Sequence, residues 1–256
     1  MLRAFKMAEF NHIAILAAMP EELGETIIFL KDVKESRFGD LIIYTGLFIS
    51  KNNRKIKISL AWSGWGKVSA SRAATRLISS GIYKEPVDLI IFTGVAGAIN
   101  RSLKKWDFVI GKELIQYDLD ASPLFDKYII PALNTSILCC SRKLVEIGFS
   151  AAKETLINYP FLSNSVVKKG LIGTGDQFIS DGNIIKNLEI QINGIDAVEM
   201  EGAAIAQVAV QENIPWLVTR VISDSANEDA SQDFSDFLCK YKKVSGDFIK
   251  ILLNQF

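Results

Sequence analysis

The chain has 256 residues, 49% of them hydrophobic, and 29 basic and 29 acidic side chains that cancel to a formal net charge of zero. That is enough chain for one sizeable core, so residues 1–256 read as a single domain, with residues 1–11 as an N-terminal extension. The charge balance leaves no footprint for nucleic acid or an acidic membrane. No apolar run is long enough to span a bilayer.

In chain order, HIAILAAM reads as a buried strand; Glu9, Asn11 and His12 interrupt the apolar run, which argues against a signal peptide. PEELGETIIFLKDV reads as a helix with Pro20 in its first turn. LIIYTGLF and KIKISLAW read as strands on either side of the turn-rich stretch Ser50 to Arg54. GKVSASRAATRLISSG is a helix ending at Gly81. VDLIIFTG is an apolar strand that stops at Gly94, and WDFVIGKELIQY is another strand. Asp118 to Leu133 is the most loop-like insertion. LNTSILCCSRKLVEIGF reads as a helix capped by Asn134 or Thr135. SVVKKGLIGTG and IDAVEM are strands, EGAAIAQVAVQENI a helix, PWLVTRVISD a strand, and DFSDFLCKYKKVSGDFIKILLNQF a closing helix. This alternation predicts an α/β fold, a three-layer α/β/α arrangement around a central mixed, twisted sheet.

Cys139, Cys140 and Cys239 fit neither a disulfide framework nor a CxxC metal spacing. They read as small hydrophobes on helices and point to a reducing, cytoplasmic compartment. His12 is the only histidine, so a histidine-rich zinc site is excluded. A Ser-His-Asp or Cys-His site would have to use it, yet it stands at the start of a strand, whereas α/β sites form at strand ends.

The residues expected at those ends are mostly acids and glycines. They are Glu21 and Glu22, Ser63 to Gly66, Val95 to Gly97, Asp176, Glu201 and Asp224. Glu21, Glu22 and Glu201 also fit as first-turn residues that compensate a helix dipole. Glu199 and Arg220 each interrupt an apolar strand, where a lone charge is costly. They form either a structural pair or part of a site. SGWGK and TGVAG are either ligand cradles or tight turns, and neither is a Walker A or GxGxxG loop.

Taken together, AAMPEE, SGWGKV, TGVAGAI, GTGDQFIS, AVEMEGAAIA and VTRVISDSAN, in this order, resemble the nucleoside phosphorylase superfamily. The nearest resemblance is to the 5′-methylthioadenosine/S-adenosylhomocysteine nucleosidases. It implies hydrolysis of the adenine–ribose bond without a metal or redox cofactor, on a small-molecule nucleoside, in a homodimer. By the same resemblance Glu22 matches the water-activating carboxylate and Glu201 the acid on the ribose hydroxyls. Asp224 matches the acid that protonates adenine N7. Met200 packs near the sugar, and Ser223 and Arg220 are accompanying polar residues. Phe178 stacks on the base, Ile179 reads the adenine edge through its backbone, and Phe234 borders the 5′-thio group. Val95 stands where the family often has Ser or Thr. Trp65 replaces a small aliphatic residue on the 5′ side of the sugar. Leu124, Phe125 and Tyr128 are candidates for the neighbouring subunit's share of the 5′ pocket.

The chemistry suits these residue types. Adenine leaves as a neutral molecule only if N7 is protonated, which needs a carboxylic acid. The cation-like sugar favours a nearby negative charge. Water must lose a proton as it adds, and Glu22 is expected to stay ionised in its first helical turn for that purpose. A phosphorylase needs cationic side chains for phosphate; the resemblance implies an arginine shortly before or within the glycine-rich turn, and the matching stretch LIIFTGVAG carries no Arg or Lys. The sequence therefore favours water over phosphate. Three rivals are a purine nucleoside phosphorylase or futalosine-type hydrolase, a nucleoside-binding protein without turnover, and a doubly wound protein whose acids only cap helices.

Overall fold

The structure is a computed structural model describing residues 10–79, 86–224 and 230–256, side chains excepted at 224 and 230–236. Strand β1 (His12–Ala17) is buried at every position. It lies between two parallel neighbours, β4 (Lys55–Trp62) and β5 (Leu89–Ala98), and a strand covered on both sides needs no polar alternation. An antiparallel meander extends the sheet from β4 through β3 (Leu41–Ile49) to β2 (Lys31–Phe38). The outermost strand, β2, is mostly exposed and carries KDVKESR; such charges protect an edge from pairing with another chain.

The other half of the sheet closes on itself. β6 (Phe108–Gln116) and β9 (Ile195–Glu199) run parallel to β8 (Val167–Thr174) on its two sides. β10 (Trp216–Asp224) is antiparallel to β6 and parallel to β5, and β5 pairs antiparallel with β9. The short β7 (Ile137–Cys139) adds to β6. Helices α2 (Lys67–Ile78) and α5 (Gly202–Gln211) pack on each other. α6 (Ala230–Leu253) packs on α1 (Pro20–Leu23) and α3 (Arg142–Ile157). The mixed sheet with its helices is the expected α/β architecture. Among the described residues no helix is long and apolar enough to cross a membrane.

Several boundaries differ from the sequence reading. The helix from Pro20 lasts one turn, because Gly24 takes φ 58° and α6 packs against its backbone through Gly246. A 3-10 turn, Thr26–Phe29, follows, and Lys31 then opens β2. β5 does not stop at Gly94 but runs to Ala98, because Gly94, Ala96, Gly97 and Ala98 are small enough to pass between β10 and β9. The helix expected from Asn134 starts at Arg142, capped by Ser141 Oγ, which accepts from Leu144 N at 3.3 Å. Ile137 to Cys139, read as helix, is strand β7, so Cys139 and Cys140 lie off any helix. α4 (Gly182–Gln191) was not anticipated. Gly81, the expected end of α2, lies outside the described residues. Phe10 and Asn11, assigned to the extension, are tied to the body. Phe10 packs edge-on against Phe256, and Asn11 N donates to Asp88 at 2.7 Å.

Candidate active site

The extended β5 organises a cleft at the carboxyl ends of β1, β9 and β10. Glu22, on the single turn after β1, is buried against it. Its Oε2 accepts from Ala18 N at 2.8 Å and Met19 N at 3.0 Å, and its Oε1 accepts from Val95 N at 2.9 Å. Ser245 of α6 donates to the Glu22 carbonyl, which fixes the turn from behind. Burial pushes the Glu22 carboxyl above its ordinary range, against the pull of Arg220 and the three N–H groups. The dipole argument fails here, since a one-turn helix has little macrodipole. The three donors and the arginine are what favour the ionised form.

Arg220 lies in the middle of β10, opposite Gly94 of β5. Its Nη2 pairs with Glu199 Oε2, stands 3.8 Å from Glu201 Oε2, and its guanidinium covers the Phe92 ring at 3.9 Å. Glu199 also accepts from Glu201 N at 3.1 Å, from Gly202 N and from Thr174 Oγ1. Glu199 is therefore fully engaged as a structural partner that holds Arg220 and opens α5. Glu201 is freer. Its Oε1 accepts from Gly66 N at 2.8 Å, and burial, reinforced by the Glu199 charge, pushes its carboxyl up to about 8. Arg220 thus sits among three buried carboxylates, those of Glu199, Glu201 and Glu22.

The cleft holds about 680 Å³ of empty space counting its open mouth. Glu22, Glu199, Glu201, Met200, Val95, Ser223, Ile179, Phe178 and Trp65 all line it. Phe178 and Trp65 are 57% and 61% exposed, so each offers a ring face at the mouth. Ile179 is buried. Asp224 ends β10 opposite Gly97 of the cleft wall. Its side chain, and that of Phe234 on α6, lie outside the described residues. Glu21 is exposed and does not line the cleft. Asp176 is exposed and instead accepts from Lys67 N at the start of α2, at 2.7 Å. His12 is buried at the far end of β1, with Nε2 at 2.8 Å from Ser59 Oγ.

A profile of the phosphorylase superfamily matches residues 12–254. The chain belongs to the phosphorylase superfamily. Within it, the chain is 33% identical over 238 residues to the aminodeoxyfutalosine nucleosidase of Campylobacter jejuni, covering 93% of this chain and 96% of that protein. It is 33% identical over 244 residues to the 5′-methylthioadenosine/S-adenosylhomocysteine nucleosidase of Buchnera aphidicola, covering 95% and 96%. Among solved structures it is similar to the corresponding nucleosidase of Neisseria meningitidis in complex with methylthio-immucillin-A. The TM-score is 0.83 at 28% identity, covering 96% of this chain and all of that one.

Two features of this superfamily member escaped the sequence reading. A Cβ at Gly94 would fall on both Arg220 Nη1 and Glu22 Oε1, so only glycine leaves room for the acid and the arginine to approach β5 here. The signal is in the sequence, since a glycine inside an apolar run marks a close approach as well as a strand end. The second feature is a ring of one ion pair, Lys67–Asp118, and two bonds from backbone N–H groups to carboxylates, Lys67 N to Asp176 and Asp176 N to Asp118, built from three segments far apart in sequence.

Proposed function

We propose that the chain is a single-domain nucleosidase that hydrolyses the N-glycosidic bond of 5′-methylthioadenosine and S-adenosylhomocysteine, releasing adenine. What carries the reading is one cleft in which Glu22, held by three backbone N–H groups, and Glu201, held by Gly66 N, face the same space. In this reading Glu22 takes the proton of the attacking water; a carboxyl raised toward the working pH suits a general base. Glu201 grips the ribose hydroxyls, and in its ionised form it offsets the cationic sugar. Asp224, following Ser223 at the end of β10, protonates N7. Phe178 stacks on the base, Met200 packs on the sugar, and Phe234 borders the 5′ group.

Water is preferred to phosphate for a physical reason. Among the described residues no lysine or arginine lines the cleft, and the buried Arg220 pairs through Nη2 with Glu199. A phosphate dianion would have no cation of its own. A second reading, hydrolysis of an aminodeoxyfutalosine-type nucleoside, is favoured by the 33% identity to the Campylobacter jejuni protein and by the open mouth beside Trp65. The enzyme is proposed to act in the cytoplasm, where its three free thiols persist, and as a homodimer. Leu124 and Phe125 are exposed apolar groups available for that contact.

A nucleoside panel tests the reading: 5′-methylthioadenosine, S-adenosylhomocysteine, aminodeoxyfutalosine, inosine and uridine, each scored for free base with and without phosphate. Adenine release from the first two without phosphate is expected. A strict phosphate requirement with a sugar 1-phosphate product would overturn the hydrolase assignment. Release from aminodeoxyfutalosine alone would select the second reading. Light scattering with a Phe125→Ala variant tests the dimer.

A further inference from the structure

Three segments meet at the rim of the cleft through one carboxylate. Asp118, just after β6, accepts from Lys67 Nζ at 2.6 Å with Oδ1 and from Asp176 N at 2.9 Å with Oδ2. Asp176 Oδ1 in turn accepts from Lys67 N at 2.7 Å. The chain therefore closes a small ring joining the start of α2, the turn after β6 and the loop after β8. Each member sits one or two residues from a group the cleft uses. Lys67 follows Gly66, whose N–H holds Glu201. Asp176 lies two residues before Phe178. Asp118 follows Tyr117, whose hydroxyl donates to Gln177 O at 3.2 Å and whose ring fills the space beside Gly175.

We propose that Asp118 is a positioning residue for the nucleoside. Through Lys67 it sets the Gly66 N–H that aims Glu201 at the ribose, and through Asp176 it sets the loop that presents Phe178 to the base. The inference rests on the nucleosidase reading given above and deepens it. Neither Asp118 nor Lys67 lines the cleft, so neither acts on the substrate itself. Gly64 and Gly66 take φ of 78° and 92°, a conformation that favours glycine, the residue with the most backbone freedom. Lys67 and Asp118 are partly solvated, with side chains 19% and 31% exposed. A lone pair of that kind contributes little. Here the same carboxylate also takes a backbone N–H, and the second bond makes the ring a three-way tether rather than an isolated pair.

The two arms are separable. Lys67→Met cuts the arm to α2, and Asp118→Asn weakens the same arm while keeping an oxygen for Asp176 N. Asp118→Ala removes both. The experiment measures, by calorimetry, the affinity of the whole chain for adenine and for a 5′-methylthio nucleoside with a non-hydrolysable carbon–carbon glycosidic bond. Melting temperatures serve as a control. Lys67→Met and Asp118→Asn are expected to weaken nucleoside binding about three- to fivefold, as befits a partly exposed ion pair, with adenine binding unchanged. Asp118→Ala is expected to weaken both ligands, the nucleoside by about tenfold. A uniform loss of both ligands in all three variants, tracking a fall in melting temperature, would show a merely structural role and overturn the proposal; so would wild-type affinities throughout. If Asp118→Ala fails to fold, Lys67→Met decides alone, through its split between the two ligands. A wild type that binds adenine and the nucleoside but releases no base would sink the hydrolase reading and leave this comparison intact.

Discussion

Replacing Glu201 by glutamine should inactivate the protein and yet make it more stable at high pH. In the free chain the Glu201 carboxyl is 5% exposed, close to the Glu199 charge, and raised from 4.5 to about 8. A raised carboxyl binds its proton more tightly in the folded chain than in the unfolded one. Its contribution is fully present below pH 4.5 and is lost as pH rises toward 8. At 1.36 kcal/mol per unit, the loss from this one group is about 1 kcal/mol at pH 5, about 3 at pH 7 and about 5 at pH 9. Glutamine does not titrate, and its side-chain oxygen still accepts from Gly66 N. Arg220 keeps Glu199, so removing the more distant carboxylate at 3.8 Å leaves no stranded charge. Urea unfolding of both proteins at pH 5, 7 and 9 is the assay. The variant should match the wild type near pH 5 and exceed it by several kcal/mol at pH 9. A stability difference that stays flat across that range would refute the reasoning, because Glu201 would then not be a strained, desolvated acid held for its chemistry.

Three further outcomes follow from the same geometry. Gly94→Ala places a methyl group on Arg220 Nη1 and the Glu22 carboxylate; adenine release should fall at least about 100-fold, with about 1–3 kcal/mol lost from stability, read by kinetics and urea melts. Arg220→Met strands Glu199 and should cost about 3–5 kcal/mol at neutral pH. The same change removes the cation that pulls Glu22 down, so the acidic limb of the kcat/KM profile should move to higher pH if Glu22 is the base. Phe178→Ala should weaken adenine binding by the roughly 1–3 kcal/mol of a base–aromatic stack, measured by calorimetry, with the melting temperature unchanged because the ring is mostly exposed.

Much of this site was legible in the sequence because its chemistry is carried by residue types that are out of place. An acid inside the apolar strand IDAVE and an arginine inside WLVTRVIS announce a buried charge pair, and Glu199 and Arg220 are one. The long apolar strands β1 and β10 were equally plain. What stayed hidden depends on contacts across the chain. The helix from Pro20 reads well to Val33 locally, but Gly24 packs on α6 and breaks it. Gly94 looks like a strand end until β10 and β9 are seen to flank the residues beyond it. Ile137 to Cys139 has a helical neighbourhood, yet β6 offers an open edge and takes it as a strand. The Lys67–Asp118–Asp176 ring has no local pattern at all, since its members are ordinary charges separated by 51 and 58 residues.

The central claim is that Glu22, cradled by Ala18, Met19 and Val95, takes the proton from a water that attacks the sugar. It is tested most directly by adenine release from 5′-methylthioadenosine in phosphate-free buffer, wild type against Glu22→Gln, with binding to each measured separately. The account predicts steady release by the wild type, and a variant that binds the nucleoside but releases adenine slower by about 1,000-fold or more, toward the upper end of what one general base contributes. Equal rates in the two proteins, or wild-type turnover that begins only when phosphate is added, would contradict it.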